Sequence, residues 1–115
     1  IREASTDPSE RMAVALGRLV AHLATLRQMS LSVAGMLERG ENPNLEAALV
    51  KDLGTNFEQE IPEVVHALLG VEPTAGGRDL QHVLAYLMQQ APSFSLRGGT
   101  REILRGIIAR GLGLR

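Results

Sequence analysis

DPSERMAVALGRLVAHLATLRQMSLSVAGMLERG, residues 7–40, carries the strongest periodic signal in the chain. Apolar side chains fall at Met12, Leu16, Leu19, Leu23, Leu26, Val33 and Leu37, and only Ser30 interrupts the alternation of four and three. That spacing places them on one stripe of an α-helix. Asp7 can cap the start, Pro8 suits the first helical position, and Glu10 stands where a capping-box partner would. Gly40 suits a left-handed residue just past the end. The reading predicts one helix from about Pro8 to Arg39, long enough to need partners along its whole length. Its apolar stripe is expected to be core, with a subunit interface as the other possibility.

The rest of the chain repeats this logic. Glu41-Asn42-Pro43-Asn44 is a turn, with Asn44 placed to cap a second helix. That helix carries Leu45, Leu49, Leu53, Phe57, Ile61, Val65 and Leu68 and ends at Gly70. Pro62 lies inside it and should kink it or split it in two. Residues 71–77, with Pro73 and two glycines, form a loop. A third helix spans about Asp79 to Gln90, and Pro92 argues that Ala91 is not helical. A connector from Ser93 to Gly99 follows, and Thr100 caps a last helix that carries Ile103, Leu104, Ile107 and Ile108 and ends near Gly111. No strand alternation of useful length appears. The expected fold is all-α: an antiparallel up-and-down four-helix bundle.

Composition narrows the function. At 115 residues the chain is one domain by length and can bury a real core. Two Phe, one Tyr and a net charge of −1 argue against base stacking and against a field that attracts nucleic acid or acidic lipid. With no cysteine, disulfides, thiolate catalysis and Cys-ligated zinc are excluded. No apolar run approaches the roughly 18 residues of a membrane span, and no signal peptide is visible. A cytoplasmic chain is therefore the default, and Ile1 in place of Met suggests a fragment or a processed product.

The last part of the chain is more specific. Ser93-Phe94-Ser95-Leu96-Arg97-Gly98-Gly99-Thr100-Arg101-Glu102-Ile103-Leu104 continues into Arg105-Gly106-Ile107-Ile108-Ala109-Arg110-Gly111-Leu112-Gly113-Leu114. This resembles the end of many acyl-CoA dehydrogenases, in which a Gly-Thr pair opens the last helix, followed by an acidic or amide residue, an apolar pair and a closing Leu-Gly. The long first helix, its turn and residues 45–70 also fit that family's antiparallel pair. The resemblance covers nearly the whole chain, although only the Gly-Thr-x-Glu-Ile-Leu-x-x-Ile-Ile segment is specific. It implies the C-terminal helical domain of an FAD-dependent enzyme that introduces a double bond α,β to an acyl-CoA thioester. It further implies two additional domains, an electron-transfer partner, and assembly as a dimer or tetramer, or with a different subunit. This piece alone would neither hold FAD nor turn over.

By the same resemblance, Gly98 offers its N–H to the thioester carbonyl, while Gly99, Thr100 and Glu102 stand where family members touch the flavin nucleotide. A glycine admits close approach of backbone to a ligand, and a helix N-terminus presents unpaired N–H groups. On the residues alone, Gly98-Gly99-Thr100 reads as a tight turn and cap.

The sequence also departs from the family. Many members carry the catalytic glutamate immediately before the Gly-Thr pair; that position is Gly98, so no catalytic residue is assigned. The base sits on an earlier helix, or comes from another subunit, or the parent has lost the activity; the first is preferred. Arg97 replaces a frequent aromatic residue. Ala67 replaces a Gln that in many members reaches a neighbouring subunit's cofactor, Val71 replaces the second Gly of the pair after it, and no Arg-Gln-Phe-Gly stretch occurs near the start. The branch is divergent.

Other residues carry less. His22, His66 and His82 show no metal-ligand spacing and are read as surface or satisfied histidines, so no metal is expected. Glu58, Glu60 and Glu63 form a solvated acidic face. Arg105 and Arg110 could meet a pyrophosphate or CoA phosphate, but helix-end charge pairing explains them, with Arg97, Arg101 and Arg115, as well. A free-standing helical oligomerisation or interaction module without flavin is the competing reading.

Overall fold

A computed structural model describes residues 9–70, 72–74, 76 and 79–114. It contains four helices, and no strand occurs among the described residues: α1 (Glu10–Glu38), α2 (Asn44–Leu69), α3 (Asp79–Phe94) and α4 (Arg101–Gly111). The fold is the all-α antiparallel four-helix bundle that the spacing predicts.

The helix ends follow from local chemistry. The cap of α1 is Ser9, whose hydroxyl accepts from the Met12 N–H at 3.4 Å. Asp7 and Pro8, expected in the opening turn, lie outside the described residues. At the other end Gly40 takes φ +75°, its N–H donates to the Leu37 carbonyl, and the Glu41 N–H donates to that of Met36. This paired closure needs a left-handed residue, which glycine adopts without strain. Gly113 closes α4 in the same way, with bonds to Arg110 and Ala109. The start of α2 differs from expectation: Pro43 is the cap, Asn44 is already helical, and no side chain caps this end.

Two prolines are absorbed by helices that the sequence rules would interrupt. Pro62 lies inside an unbroken α2 and is itself buried. Pro92 lies inside α3, and Ala91 before it is both helical and buried, contrary to the expectation that the helix stops at Gln90. The carbonyls of this last turn find side-chain donors. Gln59 Nε2 donates to the Ala91 carbonyl at 2.8 Å, Ser93 Oγ to that of Gln90 at 2.7 Å, and Ser95 Oγ to that of Pro92 at 2.9 Å. The donor that Pro92 lacks would have served Met88, so these bonds do not replace it; they satisfy the end of the helix beyond it, and the Gln59 bond fastens buried Ala91 to α2. The connector shortens accordingly to residues 95–100.

Packing is organised around α2, which touches each of the other three helices; among the described residues those three do not pack on one another. Ala48, Thr55 and Pro62, seven residues apart, together with Phe57, are the buried positions of α2. The helix α1 runs antiparallel to α2: residues 10–22 face residues 60–68, and Ser30 and Val33 face residues 47–58. The helices α3 and α4 follow one another back along α2. Ala91 meets Gln59, Arg97 meets Glu58, Arg101 approaches Asp52, and Gly111 reaches Leu45. A Cβ at Gly111 would sit 3.0 Å from Leu45 Cβ, so this glycine serves close packing, while the left-handed closure of α4 falls to Gly113.

The seam of α1 needs correction. None of its residues is buried, and Leu16, Leu23 and Leu37 are 44%, 59% and 60% exposed. The half-covered side chains are Met12, Ala15, Leu19, Leu26, Met29, Val33 and Met36. A stripe wide enough for two neighbours meets only α2, so one edge of it is covered and the other is left outward.

Candidate functional site

The connector between α3 and α4 is a bend made by two glycines. Gly98 has φ +72° and Gly99 has φ +104°, a region that side-chain-bearing residues rarely enter. Gly98 is exposed, while Gly99 and Thr100 are half-buried. Leu96 before the bend and Ile103 after it are 72% and 57% exposed, so the bend lies on an open surface framed by apolar side chains.

Thr100 occupies the cap position of α4 with extended backbone, and its carbonyl accepts from the Leu104 N–H at 3.0 Å. Its hydroxyl makes no capping bond to the helix, unlike the sequence expectation. The Glu102 carboxyl is held below the ordinary glutamate range, first by its own backbone N–H, then by the Thr100 hydroxyl; desolvation opposes them, and Arg105 and Arg101 add less. Glu102 thus stays ionised and accepting at the mouth of the helix. A carboxylate there suits a ligand that offers hydroxyl donors and repels a phosphate placed directly against it.

The walls of the bend come from α2. Glu58 Oε2 accepts from Arg97 Nη2 at 2.9 Å, and the Arg97 guanidinium also lies 4.4 Å from the centre of the Phe94 ring. The Lys51 side chain passes beside Gly98, and its Nζ donates to the buried Thr55 hydroxyl at 2.9 Å. Asp52 Oδ1 stands 3.9 Å from Arg101 Nε, both atoms enclosed and without a hydrogen bond. On the far side of Lys51 an open groove of about 320 Å³ separates α1 from α2, with Val33, Val50, Gly54 and Thr55 on its walls.

Of the residues singled out in the sequence, the structure brings Gly98, Gly99, Thr100 and Glu102 together at one surface. Arg97 joins them by its tie to Glu58, which is therefore an ion-pair partner as well as part of a solvated face. Arg105 and Arg110 are exposed on α4, and Arg115 and Val71 lie outside the described residues. His22 is exposed with its ring edge-on to Phe57 at 5.1 Å, and His66 sits in the last turn of α2. No cluster of three or more potential metal ligands occurs among the described residues. None of their helices is long and apolar enough to cross a membrane. Lys51, Asp52 and Asn56, whose Oδ1 is also enclosed without a partner, escaped the sequence reading. Their only sequence signal is the recurrence of polar residues at 51, 52, 55, 56, 58 and 59, one face of α2 too polar for a core helix.

No side chain at position 98 can move a proton, so what the bend offers chemically is backbone N–H groups, the Thr100 hydroxyl and the Glu102 carboxylate. No curated protein and no solved structure matches the chain. A family does, the acyl-CoA dehydrogenase C-terminal domain, and the match runs over residues 8–113, from before α1 to the glycine that closes α4. The chain belongs to the acyl-CoA dehydrogenase C-terminal domain family.

Proposed function

We propose that this chain is the C-terminal helical domain of a larger FAD-dependent dehydrogenase that forms an α,β double bond in an acyl-CoA thioester. The observation that carries the reading is the placement of the glycine bend. It lies open on the surface beside exposed Leu96 and Ile103, where further domains could cover it. Thr100 and Glu102 fit the hydroxyl-bearing part of a flavin nucleotide: one offers a hydroxyl, the other an ionised acceptor. Gly99 leaves room for close approach, and the first turn of α4 presents backbone N–H groups at its mouth, with the Glu102 N–H engaged by its own carboxylate.

When bound, FAD would take the β-hydride. The chain's own part is to hold and polarise. Gly98 presents its N–H to the thioester carbonyl, which stabilises the negative charge that grows there as the α-proton leaves. Removal of that proton falls to a base outside position 98, on another segment of the parent or on a second subunit. The outward stripe of Leu16, Val20, Leu23 and Leu31 on α1 supports self-association of the parent.

The test is to purify the full-length protein that contains this domain, look for visible flavin absorbance, and assay acyl-CoA-dependent reduction of an electron acceptor. Bound flavin and turnover are expected. Colourless protein that also fails to take up added FAD would leave a helical interaction module in place of the enzyme.

A further inference from the structure

The two residues of the bend that face the proposed ligand have no side chains with which to be held. Glycine is the residue whose backbone is most expensive to order, so a Gly-Gly pair keeps one shape only if something outside it sets that shape. The residues on either side are tied down: Arg97 to Glu58, and Arg101 toward Asp52. On the side where a side chain would project, Gly98 faces one neighbour. A Cβ built there would lie 3.2 Å from Lys51 Cε and 4.0 Å from its Cδ, and no other atom comes within 4 Å outside the adjoining residues.

An ordinary surface lysine would be a poor support, because its stem is free to rotate. This one is fastened at its far end. Its Nζ donates to Thr55 Oγ1 at 2.9 Å, and Thr55 is only 3% exposed, on the heptad face that faces the core. Four residues apart on one helix, the pair holds the lysine stem along α2 directly beneath the bend. The three supports, at positions 51, 52 and 58, fall within about two turns of the same helix, so one rigid element aligns the whole connector.

From this geometry we infer that Lys51 is a positioning residue: its aliphatic stem, anchored on Thr55, sets where the Gly98 backbone stands. The functional consequence rests on the reading that this backbone meets the thioester oxygen. A donor that acts on charge developing in the transition state loses its value when displaced by an ångström, whereas binding of the bulky CoA portion does not depend on it.

The experiment compares the FAD-loaded full-length enzyme with its Lys51→Ala and Lys51→Met variants. Kinetics with an acyl-CoA substrate are measured alongside amide hydrogen exchange over residues 97–100. Methionine keeps an unbranched stem with a methyl group where Cε stands; alanine removes it. Lys51→Ala is expected to lower kcat by roughly tenfold to a hundredfold with little change in KM, and to speed exchange at the bend. Lys51→Met keeps the stem but loses its tie to Thr55, so its kcat and exchange rate are expected to fall between those of wild type and Lys51→Ala. Unchanged kcat and exchange in Lys51→Ala, or equal losses in the two variants, would overturn the inference. If the wild-type enzyme neither holds flavin nor turns over, the proposed function falls. The exchange data then decide alone, and an unperturbed bend in Lys51→Ala refutes the positioning role.

Discussion

Glycine does opposite work at different places in this chain. Gly99 sits at φ +104°, where alanine costs about 1–2 kcal/mol, while Gly17 lies within α1 with open space where a Cβ would go. Gly99→Ala should therefore lower the urea midpoint, and Gly17→Ala should raise stability by about 0.5–1 kcal/mol. Equal effects of the two substitutions would contradict the bend geometry. Glu102 gives a pH-dependent signature. Its carboxyl is lowered in the folded chain by its own N–H and by Thr100, so its contribution is present above the ordinary glutamate range. It is lost as pH falls through the lowered folded value. Stability followed by urea denaturation across that acidic window should show a shallower fall in Glu102→Gln than in wild type. The sequence could show that Gly98, Gly99, Thr100 and Glu102 adjoin. It could not show that the Thr100 hydroxyl leaves the N–H groups of α4 uncapped, because that depends on the hydroxyl's rotamer, which the residue order does not fix.

Helix α4 shows how packing overrides local expectation. A glycine inside a helix usually gains stability on replacement by alanine, yet a Cβ at Gly111 would meet Leu45 Cβ at 3.0 Å and its Cδ1 at 3.1 Å. Gly111→Ala should cost about 1–3 kcal/mol in thermal or urea unfolding, as overpacking does, and a gain would show that α4 can shift away from α2. Helix ends marked by Gly40 and Gly70 were legible in the sequence, because the left-handed closure is dictated by residues within one turn. The end of α3 was not. The rule that the residue before a proline leaves the helix is local, and it yields here to Gln59, 32 residues upstream, which bonds the Ala91 carbonyl. The outward half of the α1 stripe was illegible for a related reason: periodicity shows which residues share a face and is silent on how many neighbours that face meets. Lys51 escaped because its contact is with a backbone that becomes adjacent only once α4 has folded back along α2.

Taken whole, the molecule is elongated, 48 × 25 × 24 Å, and α1 spans most of its length. Among the described residues only Phe57, Leu84 and Leu104 are large buried apolar side chains, whereas thirteen large apolar side chains are exposed. Such an imbalance belongs to a surface built to be covered. If α1 forms part of a subunit interface, Leu16→Glu combined with Leu23→Glu should reduce the assembly state of the full-length protein in analytical ultracentrifugation while leaving its helical circular dichroism intact. An unchanged assembly state would place the interface elsewhere. The central claim, however, is that the surface around the glycine bend meets the flavin nucleotide, and FAD affinity of the full-length protein tests it most directly. Thr100→Ala combined with Glu102→Ala removes the hydroxyl and the carboxylate without touching the glycines, and each lost polar contact is worth about 1 kcal/mol, or more where charge is involved. FAD should then bind at least roughly tenfold more weakly than to wild type, since 1.4 kcal/mol is a factor of ten. Equal FAD affinity in the two proteins would contradict the account.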